Sequence, residues 1–368
     1  MSKKAIIDAK AFSEGLDQVS RALRKSSFPT LSEVCVRFED GICILTATDL
    51  DTWLIKRIPA QGEDLAFVLN RTKDVAKACR LFDGALVLEL EETETQKEKE
   101  LKLLMRCSNR VAEFEAMDPE LYPVYTPIAA ESYFTMNAAD VLARIERVSY
   151  AAMRPSINAQ PSRTSVQFSG HCVFALDGAR LACDTAPEFA FPRPFMASVD
   201  TLSHLKVFGK RNVQIEFGKS RGWITDGTIT LDFHIPSMDI FDVKHVISQN
   251  VKELLTVSPK EFLRELKYLK ELTVGERKPY VRFSGGELFM AASSGKYRTS
   301  VAVSGENRIV FGFELHKMMD AMRQFRDEDS VTLKVVSAVS PFIIEAEGRS
   351  DLALICPVRL SDERRSAA

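Results

Sequence analysis

The sequence predicts an α+β protein built from three tandem similar domains, each with two helices on one face of predominantly antiparallel sheet. Three observations support this prediction. A strand-then-helix pattern recurs at intervals of domain size, a second amphipathic helix follows in each interval, and short strands with turn residues fill the rest. A period of this length indicates whole domains rather than the short units of a solenoid.

Each domain is predicted to open with a short strand and an amphipathic helix. The three copies read AIIDAKAFSEGLDQVSRAL at 5–23, YFTMNAADVLARIERVSYA at 133–151 and LLTVSPKEFLRELKYLKEL at 254–272. In the third copy Ser258 is the expected N-cap and Pro259 the expected first helical residue. Because the pattern restarts after proline-rich or non-periodic stretches, we expect the domain boundaries 1–127, 128–250 and 251–368.

A second helix is predicted in each domain after its first group of strands, at 69–82, 196–209 and 311–325. Apolar residues recur at helical spacing in all three segments, so the methionines and phenylalanines there are expected in the core. Between the helices, apolar runs are broken by glycines, as at Gly285 and Gly286. This punctuation predicts antiparallel hairpins.

The overall composition is that of an ordinary globular protein, with 45% hydrophobic residues, 27% charged residues and a formal net charge of −2. No apolar run approaches the ~18 residues of a membrane span, and the N-terminus lacks the apolar stretch of a signal peptide. The seven cysteines are scattered, without a C-x-x-C pair, and are expected to be buried thiols. These features predict a reduced, cytoplasmic protein with no membrane association.

The sequence contains little that suggests catalysis or metal binding. Asp49 and Asp51 suggest a carboxylate pair, but such residues beside a strand end usually serve a turn. The five histidines show no ligand spacing, and the segment SSGK at 293–296 lacks the upstream glycine of a phosphate-binding loop. We therefore expect no metal, no cofactor and no enzymatic activity.

Charge is distributed unevenly between the elements. The six predicted helices contain 21 basic and 11 acidic residues, so the remainder of the chain is net negative. Lys73, Lys77 and Arg80 share one helical face, and a basic triple in the third domain does the same. One basic stripe is more often a solvated helix face. Six basic helices in repeated domains instead predict a positive surface for a polyanion held by its phosphates.

Four motifs, in their order and spacing, resemble the beta subunit of bacterial DNA polymerase III, the sliding-clamp family. They are FPTLSEVCVRFEDGICILTATDLD at 28–51, LDGARLA at 176–182, GFELHKMMDAM at 312–322 and LICPVRL at 354–360. The resemblance extends over about residues 4–360. The chain is thereby identified as a divergent member of this family.

The resemblance implies the DNA clamp fold, in which each domain has two helices on an inner face and antiparallel sheets outside. Two chains of this fold close head to tail into a homodimeric ring around duplex DNA. It also implies a non-catalytic processivity factor for DNA replication that slides on DNA without reading its sequence. The expected partners are the DNA polymerase catalytic subunit, the clamp loader and other proteins with clamp-motif peptides. The alternative is a clamp-like partner-binding protein that does not encircle DNA.

Charge pattern and resemblance together predict three surfaces. The expected DNA-binding residues are Arg24, Lys25, Lys73, Lys77, Arg80, Arg144, Arg147, Lys206, Lys210, Lys260, Arg264 and Lys267. The resemblance implies a partner-peptide pocket between the second and third domains, formed by Leu176, Gly178, Ala179, Arg180, Leu181, Phe241, His245, Val246, Leu354, Ile355, Cys356, Pro357, Val358, Arg359 and Leu360. The expected dimer edge lies near Val111 and Phe114 in the first domain and Leu272 in the third.

Departures from the family pattern predict an altered partner preference. Leu176 and Ala179 stand where the family usually has Thr and His, and Cys356 replaces a common Met. The stretch 156–163 replaces a segment with tyrosine and asparagine, which changes one pocket wall and one DNA contact. The chain also continues past the family's Arg-Leu pair with SDERRSAA at 361–368, beside the expected pocket.

Overall fold

The computed structural model describes residues 2–94, 99–127, 132–247, 250–277, 279–305 and 308–360. The chain divides into two compact units, one of residues 1–142 with 200–237 and one of residues 143–199 with 238–368. This division passes through the second predicted domain, and the boundaries after residues 127 and 250 stay a prediction. The C-terminal segment 361–368 lies outside the described residues.

Within the described residues the chain forms eight α-helices and four 3-10 helices. The α-helices are α1 (Ala9–Val19), α2 (Thr72–Cys79), α3 (Ala138–Ser149), α4 (Pro161–Thr164), α5 (Val199–Ser203), α6 (Val243–Ile247), α7 (Pro259–Glu271) and α8 (Leu315–Gln324). The 3-10 helices are Ser20–Ala22, Pro29–Ser32, Pro119–Leu121 and His204–Phe208. All six predicted helices are present, although α5 continues as a 3-10 helix instead of a single α-helix.

The strands match the short lengths predicted from the sequence. In the first third of the chain they are β1 (Ser2–Asp8), β2 (Cys35–Glu39), β3 (Ile42–Thr48), β4 (Thr52–Pro59), β5 (Gln61–Gly62), β6 (Leu65–Leu69), β7 (Ala85–Glu94), β8 (Lys99–Cys107) and β9 (Arg110–Met117). In the middle third they are β10 (Ser132–Asn137), β11 (Ser165–Ser169), β12 (Cys172–Leu176), β13 (Arg180–Thr185), β14 (Phe195–Ser198), β15 (Asn212–Phe217), β16 (Arg221–Thr225) and β17 (Ile229–His234). In the last third they are β18 (Glu253–Val257), β19 (Tyr280–Ser284), β20 (Glu287–Ala292), β21 (Gly295–Ser300), β22 (Val303–Gly305), β23 (Phe311–Glu314), β24 (Val331–Val335), β25 (Phe342–Glu345) and β26 (Asp351–Ile355).

The first unit contains one sheet of thirteen described strands in the order β10-β15-β16-β17-β4-β3-β2-β6-β9-β8-β7-β1-β5. Its ladders are antiparallel, as the hairpin pattern predicts. The pairing of β4 with β17, which sets Leu54 opposite Leu231, joins strands of the first and second predicted domains. A single sheet therefore spans a boundary that the sequence repeat places at residue 127.

Helix α1 packs closely on this sheet. Asp8 caps it by accepting a backbone N–H of the first turn at 2.8 Å. Phe12 is fully buried on its inner face. At Gly15 an added Cβ would lie 2.8 Å from side-chain atoms of both Leu45 and Ile58. The absence of a side chain at this position therefore brings the helix close to β3 and β4.

The second unit contains a nine-stranded sheet, β14-β11-β12-β13-β26-β25-β24-β18-β22, and a four-stranded sheet, β21-β20-β19-β23, counted over the described residues. Helices α7 and α8 contribute Phe262, Met318 and Met322 to a core that also includes Phe283 and Phe311. The predicted N-cap of α7 is confirmed, since the Ser258 hydroxyl accepts a first-turn N–H at 3.4 Å. Helices and antiparallel sheets in both units confirm the α+β class.

Candidate functional site

A basic groove lies beside α2 in the first unit. It has a volume of about 540 Å³ and is lined by five basic and two acidic side chains, among other residues. The basic residues are Arg24, Lys25, Arg71, Lys73 and Lys77, and the acidic residues are Glu33 and Asp74. The structure thus brings together four of the predicted DNA-binding residues. It adds Arg71, a basic residue of the same predicted helix that is not among the predicted DNA-binding residues.

The residues at the start of α2 orient the basic side chains of this groove. Arg71 precedes the helix with φ +68°, a left-handed conformation that is uncommon for residues other than glycine. The Thr72 N–H donates to the Glu33 carboxylate at 2.6 Å, which satisfies one of the free donors of the first turn. A hydrogen bond from Lys77, together with the charge of Arg71, lowers the pKa of Asp74. The Asp74 carboxylate therefore stays ionised among the basic side chains of the groove.

The remaining predicted DNA-binding residues fall into two groups. Those with exposed side chains on or beside helices are Arg80, Lys206, Lys210, Lys260, Arg264 and Lys267. Arg80 also donates to both oxygens of Asp17 on α1, at 2.6 and 2.8 Å, and Arg264 donates to the adjacent Glu265 at 2.8 Å. Both guanidinium groups are themselves exposed, so these pairs are weak and leave the two cations accessible to phosphates.

Arg144 and Arg147 on α3 differ from the exposed group. Arg144 donates to Asp184 at 3.0 Å, pairs with Glu188 and lies over the Phe189 ring. Arg147 donates to the other oxygen of Asp184 at 3.2 Å. The Asp184 side chain is fully buried, so it needs both guanidinium groups as compensation. These two arginines stabilise the fold by compensating Asp184. They are therefore not among the residues proposed to face DNA.

An apolar cluster in the second unit contains five of the fifteen predicted pocket residues. Its buried members are Cys172, Phe174, Leu181, Cys183, Val243, Ile343 and Leu354, and its partly exposed members are Leu176, Ile240, Val246, Ile247, Leu352 and Cys356. We call this set the apolar cluster. Pairing of β13 with β26 places Leu181 opposite Leu354, and the Cys356 N–H continues the ladder to the Ala179 carbonyl at 2.9 Å. Residues far apart in sequence meet through this ladder.

The turn before β13 is held by ionic contacts. The Asp177 carboxylate accepts the N–H groups of Ala179 and Arg180 at 2.9 and 3.0 Å, and Gly178 supplies φ +91°. Lys317 on α8 donates to Asp177 at 2.9 Å. The Arg180 guanidinium also reaches α8, through a 2.8 Å hydrogen bond to Asp320. The predicted pocket residues Gly178, Ala179 and Arg180 therefore shape the edge of the cluster rather than its apolar surface.

Other predicted pocket residues are not members of the apolar cluster. Phe241 is 40% exposed and borders a cavity of about 540 Å³, and His245 is exposed on α6. Ile355 is buried in the separate core beneath α7 and α8, and Pro357 is partly exposed. Val358, Arg359 and Leu360 line a different cavity.

The sequence did not identify eight members of the apolar cluster, which are Cys172, Phe174, Cys183, Ile240, Val243, Ile247, Ile343 and Leu352. The available signal was that CVFAL at 172–176 and FII at 342–344 are apolar strand segments, in which every second residue lies on the same face. This period shows which residues share a face of a strand. It does not show which strands become neighbours.

The predicted dimer residues lie beside open sheet edges. Val111, 56% exposed, and the partly exposed Phe114 are on β9. Among the described residues β9 pairs with β6 only through Ala116 and Met117, so its first six residues present an open edge. Leu272 accepts a hydrogen bond from Ser294, just before β21, the end strand of the four-stranded sheet.

The described residues hold no group of three or more His, Cys, Asp or Glu side chains arranged to bind a metal ion. Asp49 serves a turn, as its carboxylate accepts the N–H of Thr52 at 2.8 Å. Six of the cysteines are buried free thiols and Cys356 is partly exposed. No helix among the described residues has the length and apolar character needed to cross a membrane.

Solved structures of DNA polymerase III beta subunits share this fold along nearly the whole chain. A Eubacterium rectale protein described as a beta subunit matches with a TM-score of 0.82 at 16% identity, covering 97% of this chain and all of its own. The Thermotoga maritima beta subunit matches with a TM-score of 0.79 at 19% identity, covering 98% of this chain and all of its own. The C. crescentus beta sliding clamp matches with a TM-score of 0.82 at 16% identity, covering 98% of this chain and 99% of its own.

No protein-family model and no curated protein matches the sequence. At identities of 16–19% the structural likeness establishes the fold, and the predicted DNA clamp fold is confirmed at that level.

Proposed function

We propose that this chain is a DNA sliding clamp, a non-catalytic protein that encircles duplex DNA and tethers a replicative polymerase. The observation that supports this most strongly is the full-length likeness to beta subunits, with TM-scores near 0.8 over 97–98% of the chain. A fold alone does not define a function. The basic groove, the apolar cluster and the open edges each supply one physical requirement of a clamp.

The basic groove meets the first requirement, attraction for DNA without fixed binding. Lys25, Lys73 and Lys77 are exposed, so they would contact phosphates through screened, exchangeable interactions. Contacts with phosphates have no sequence preference. The energy of the complex therefore changes little as DNA moves past the groove.

The apolar cluster meets the second requirement, a site for partner peptides. Its partly exposed members Leu176, Val246 and Cys356 form an aliphatic surface. Such a surface suits a short peptide with Leu or Phe anchors from a polymerase, a clamp loader or another partner. Ion pairs of Asp177 and Arg180 with α8 keep its edge rigid, which lowers the entropy lost when a peptide binds.

The open edges of β9 and β21 meet the third requirement, closure of a dimer. An unpaired strand edge is a template for another strand, and addition of β21 of one chain to β9 of a second would satisfy both. Because β9 and β21 are different strands, such a contact is heterologous, as a head-to-tail arrangement requires. Exposed Val111 would add apolar burial to the backbone hydrogen bonds.

Retention on DNA of defined topology tests the function. The full chain, loaded onto nicked circular DNA by a clamp loader or by transient opening, is expected to stay bound at high salt and to be lost after the circle is cut. Blocking both ends of the linear DNA should restore retention. Equal retention on circular and open linear DNA would contradict encirclement.

A clamp-like protein that binds partners without encircling DNA is the second candidate. It is favoured by the ion pairs of Arg144 and Arg147 with Asp184, which engage two basic residues of α3 with a fully buried carboxylate. A monomeric mass at micromolar concentration, together with intact peptide binding, would support this candidate over the first.

A further inference from the structure

A buried arginine lines a cavity in the second unit. Arg282, on β19, is 4% exposed. Its Nε and Nη1 atoms have no hydrogen-bond partner among the described residues. A buried cation is strongly unfavourable unless an anion and hydrogen bonds compensate it. The two nitrogen atoms therefore indicate a binding site for an anionic group.

The position of Arg282 in its strand directs the side chain away from the core of the second unit. Val281 and Phe283, its neighbours on β19, are fully buried in the core that includes α7 and α8. Because successive side chains of a strand point to opposite faces, Arg282 lies on the other face of the four-stranded sheet. In the ladder of this sheet it is opposite Gly312 of β23.

The segment after β26 turns this face of the sheet into a cavity. The Val358 N–H donates to the Gly312 carbonyl at 2.8 Å. A Cβ on Gly312 would lie 2.7 Å from the Leu360 side chain, so the lack of a side chain there lets the segment approach β23. Val358 and Leu360 thereby form one wall of a cavity of about 300 Å³ that Arg282 also lines.

The side chains that line the cavity indicate the chemical class of the anion. Arg359, which is exposed, is the second polar side chain among the described lining residues. The others are aliphatic, and they are Val310, Ala338, Val339, Val358 and Leu360. Aliphatic walls accept methylene groups, and an arginine donates hydrogen bonds but cannot accept them. A matching ligand therefore has acceptor oxygens at one end and a hydrocarbon remainder.

We propose that this cavity binds a free aliphatic monocarboxylate. One carboxylate carries the single negative charge that compensates one buried guanidinium, and its oxygens accept charge-assisted hydrogen bonds from the Arg282 side chain. The cavity volume of about 300 Å³ is about ten times the volume of a water molecule in the liquid. It therefore has room for a chain of medium length, such as that of hexanoate.

This carboxylate site is separate from the apolar cluster, since no residue named in its lining belongs to that cluster. It also does not depend on the proposed sliding-clamp function. A chain that never binds DNA would still contain the buried guanidinium and the aliphatic walls around it.

Titration of the full chain with sodium hexanoate tests the proposal, followed by the chemical shift of the Val358 amide in NMR spectra. A saturable change is expected, because this amide bonds to Gly312 at the cavity wall. Hexanol has the chain without the charge, and sodium acetate has the charge without the chain. Each is expected to bind about tenfold or more weakly than hexanoate. A response that does not saturate, or equal affinity for hexanoate and either compound, would overturn the proposal.

Substitution of Arg282 tests the role of the guanidinium. Arg282→Met removes the charge and is expected to weaken hexanoate binding about tenfold or more, as expected for loss of hydrogen bonds to a charged group. Arg326→Met, at an exposed position outside the cavity lining, is the matched control and should leave the affinity unchanged. Unchanged hexanoate affinity in Arg282→Met would contradict the proposal.

A second variant keeps Arg282 and remains decisive if Arg282→Met does not fold. Ala338 is a partly exposed residue of the cavity lining, so Ala338→Phe would fill part of the cavity with little effect on the buried core. Hexanoate binding is expected to weaken about tenfold or more, because the ring and the ligand compete for the same volume. Full affinity in this variant would place the hexanoate site elsewhere.

N-acetyl-leucine distinguishes a free acid from the carboxyl end of a peptide. It has a carboxylate and an aliphatic side chain, together with an amide N–H for which the described lining side chains supply no acceptor. It is therefore expected to bind about tenfold or more weakly than hexanoate. Equal or tighter binding of N-acetyl-leucine would assign the cavity to a peptide end and overturn the proposal of a free monocarboxylate.

Discussion

Arginine side chains in this protein take two roles that depend on the burial of their partner. Arg80 pairs with the exposed Asp17 and Arg264 with the partly buried Glu265, and both guanidinium groups are themselves exposed and remain accessible. Arg144 and Arg147 pair with Asp184, whose side chain is fully buried. Exposed pairs contribute little to stability, whereas removal of one partner from a buried pair leaves a charge without compensation. The same residue type thus stabilises the fold in one place and, under the proposed function, would bind DNA in the other.

The first prediction at the residue scale concerns Arg144. The substitution Arg144→Gln is expected to lower the free energy of unfolding by about 3 kcal/mol, because Asp184 stays buried with only Arg147 as a partner. Arg154→Gln, at an exposed position soon after α3, is the matched control and should change stability little. Denaturant unfolding followed by circular dichroism measures both. Equal effects of the two substitutions would show that the buried pair is not stabilising.

His204 carries the second residue-scale prediction. Burial, with the charge of Arg24, lowers its pKa from 6.5 to about 4. Between these pH values the unfolded chain binds more protons than the folded chain, so stability present above pH 6.5 is lost as the pH falls, by about 3 kcal/mol at pH 4. His204→Gln should remove this part of the pH dependence, measured by denaturant unfolding from pH 7 to 4. The exposed His234→Gln is the control, and an equal change in both variants would contradict the prediction.

At the scale of elements, sequence patterns predicted which segments form helices and what charge they carry. Asp8 and Ser258 cap their helices as their types and positions indicate. The groove beside α2 depends on more than α2 itself, because Arg24 and Lys25 come from the segment after α1. Proximity of two helices, rather than the charge of one, makes the basic groove.

Charge reversal at Lys73 and Lys77 tests the groove. K73E/K77E is expected to weaken binding to duplex DNA and to reduce the slope of log affinity against log salt by about 2, one for each lost phosphate contact. K102E/K219E changes the total charge equally at exposed positions outside the groove and serves as the control. Fluorescence anisotropy at several salt concentrations gives the slopes. An unaltered slope in K73E/K77E would mean that the groove does not face DNA.

The apolar cluster allows a second test at this scale. Leu176→Asp places a charge on its partly exposed surface, so binding of a peptide with Leu and Phe anchors is expected to weaken about tenfold or more. Leu121→Asp, at a side chain that is 71% exposed and outside the cluster, should leave affinity unchanged. Isothermal titration calorimetry measures both affinities. Full affinity in Leu176→Asp would remove the cluster as the peptide site.

At the scale of the whole molecule, the proposed function requires two chains. The open edges of β9 and β21 satisfy backbone groups only by pairing with water or with another strand. Closure of the proposed ring therefore depends on the affinity between two strand edges. Attraction of DNA depends instead on basic side chains distributed over the helices. Mutations at the two kinds of surface should separate these properties.

The substitution pair V111E/F114E is expected to convert a dimer into a monomer, because it adds two negative charges and removes apolar contact at the open edge of β9. Sedimentation velocity at micromolar concentration measures the mass. V124E is the control, at a side chain that is 79% exposed and outside β9. A dimer that persists in V111E/F114E would place the interface elsewhere.

The sequence by itself determined the helices, the short antiparallel strands and the sorting of charge, since local periodicity and capping depend on residues near one another in the chain. Its resemblance to beta subunits also anticipated the fold. Only the tertiary structure shows that Leu181 pairs with Leu354 and that Asp184 forms ion pairs with both Arg144 and Arg147. Only it shows that the Arg282 guanidinium is buried with two nitrogen atoms that have no hydrogen-bond partner in the described chain. Each of these depends on strand pairing or burial between distant segments, and local sequence patterns contain no information about which distant segments pack together.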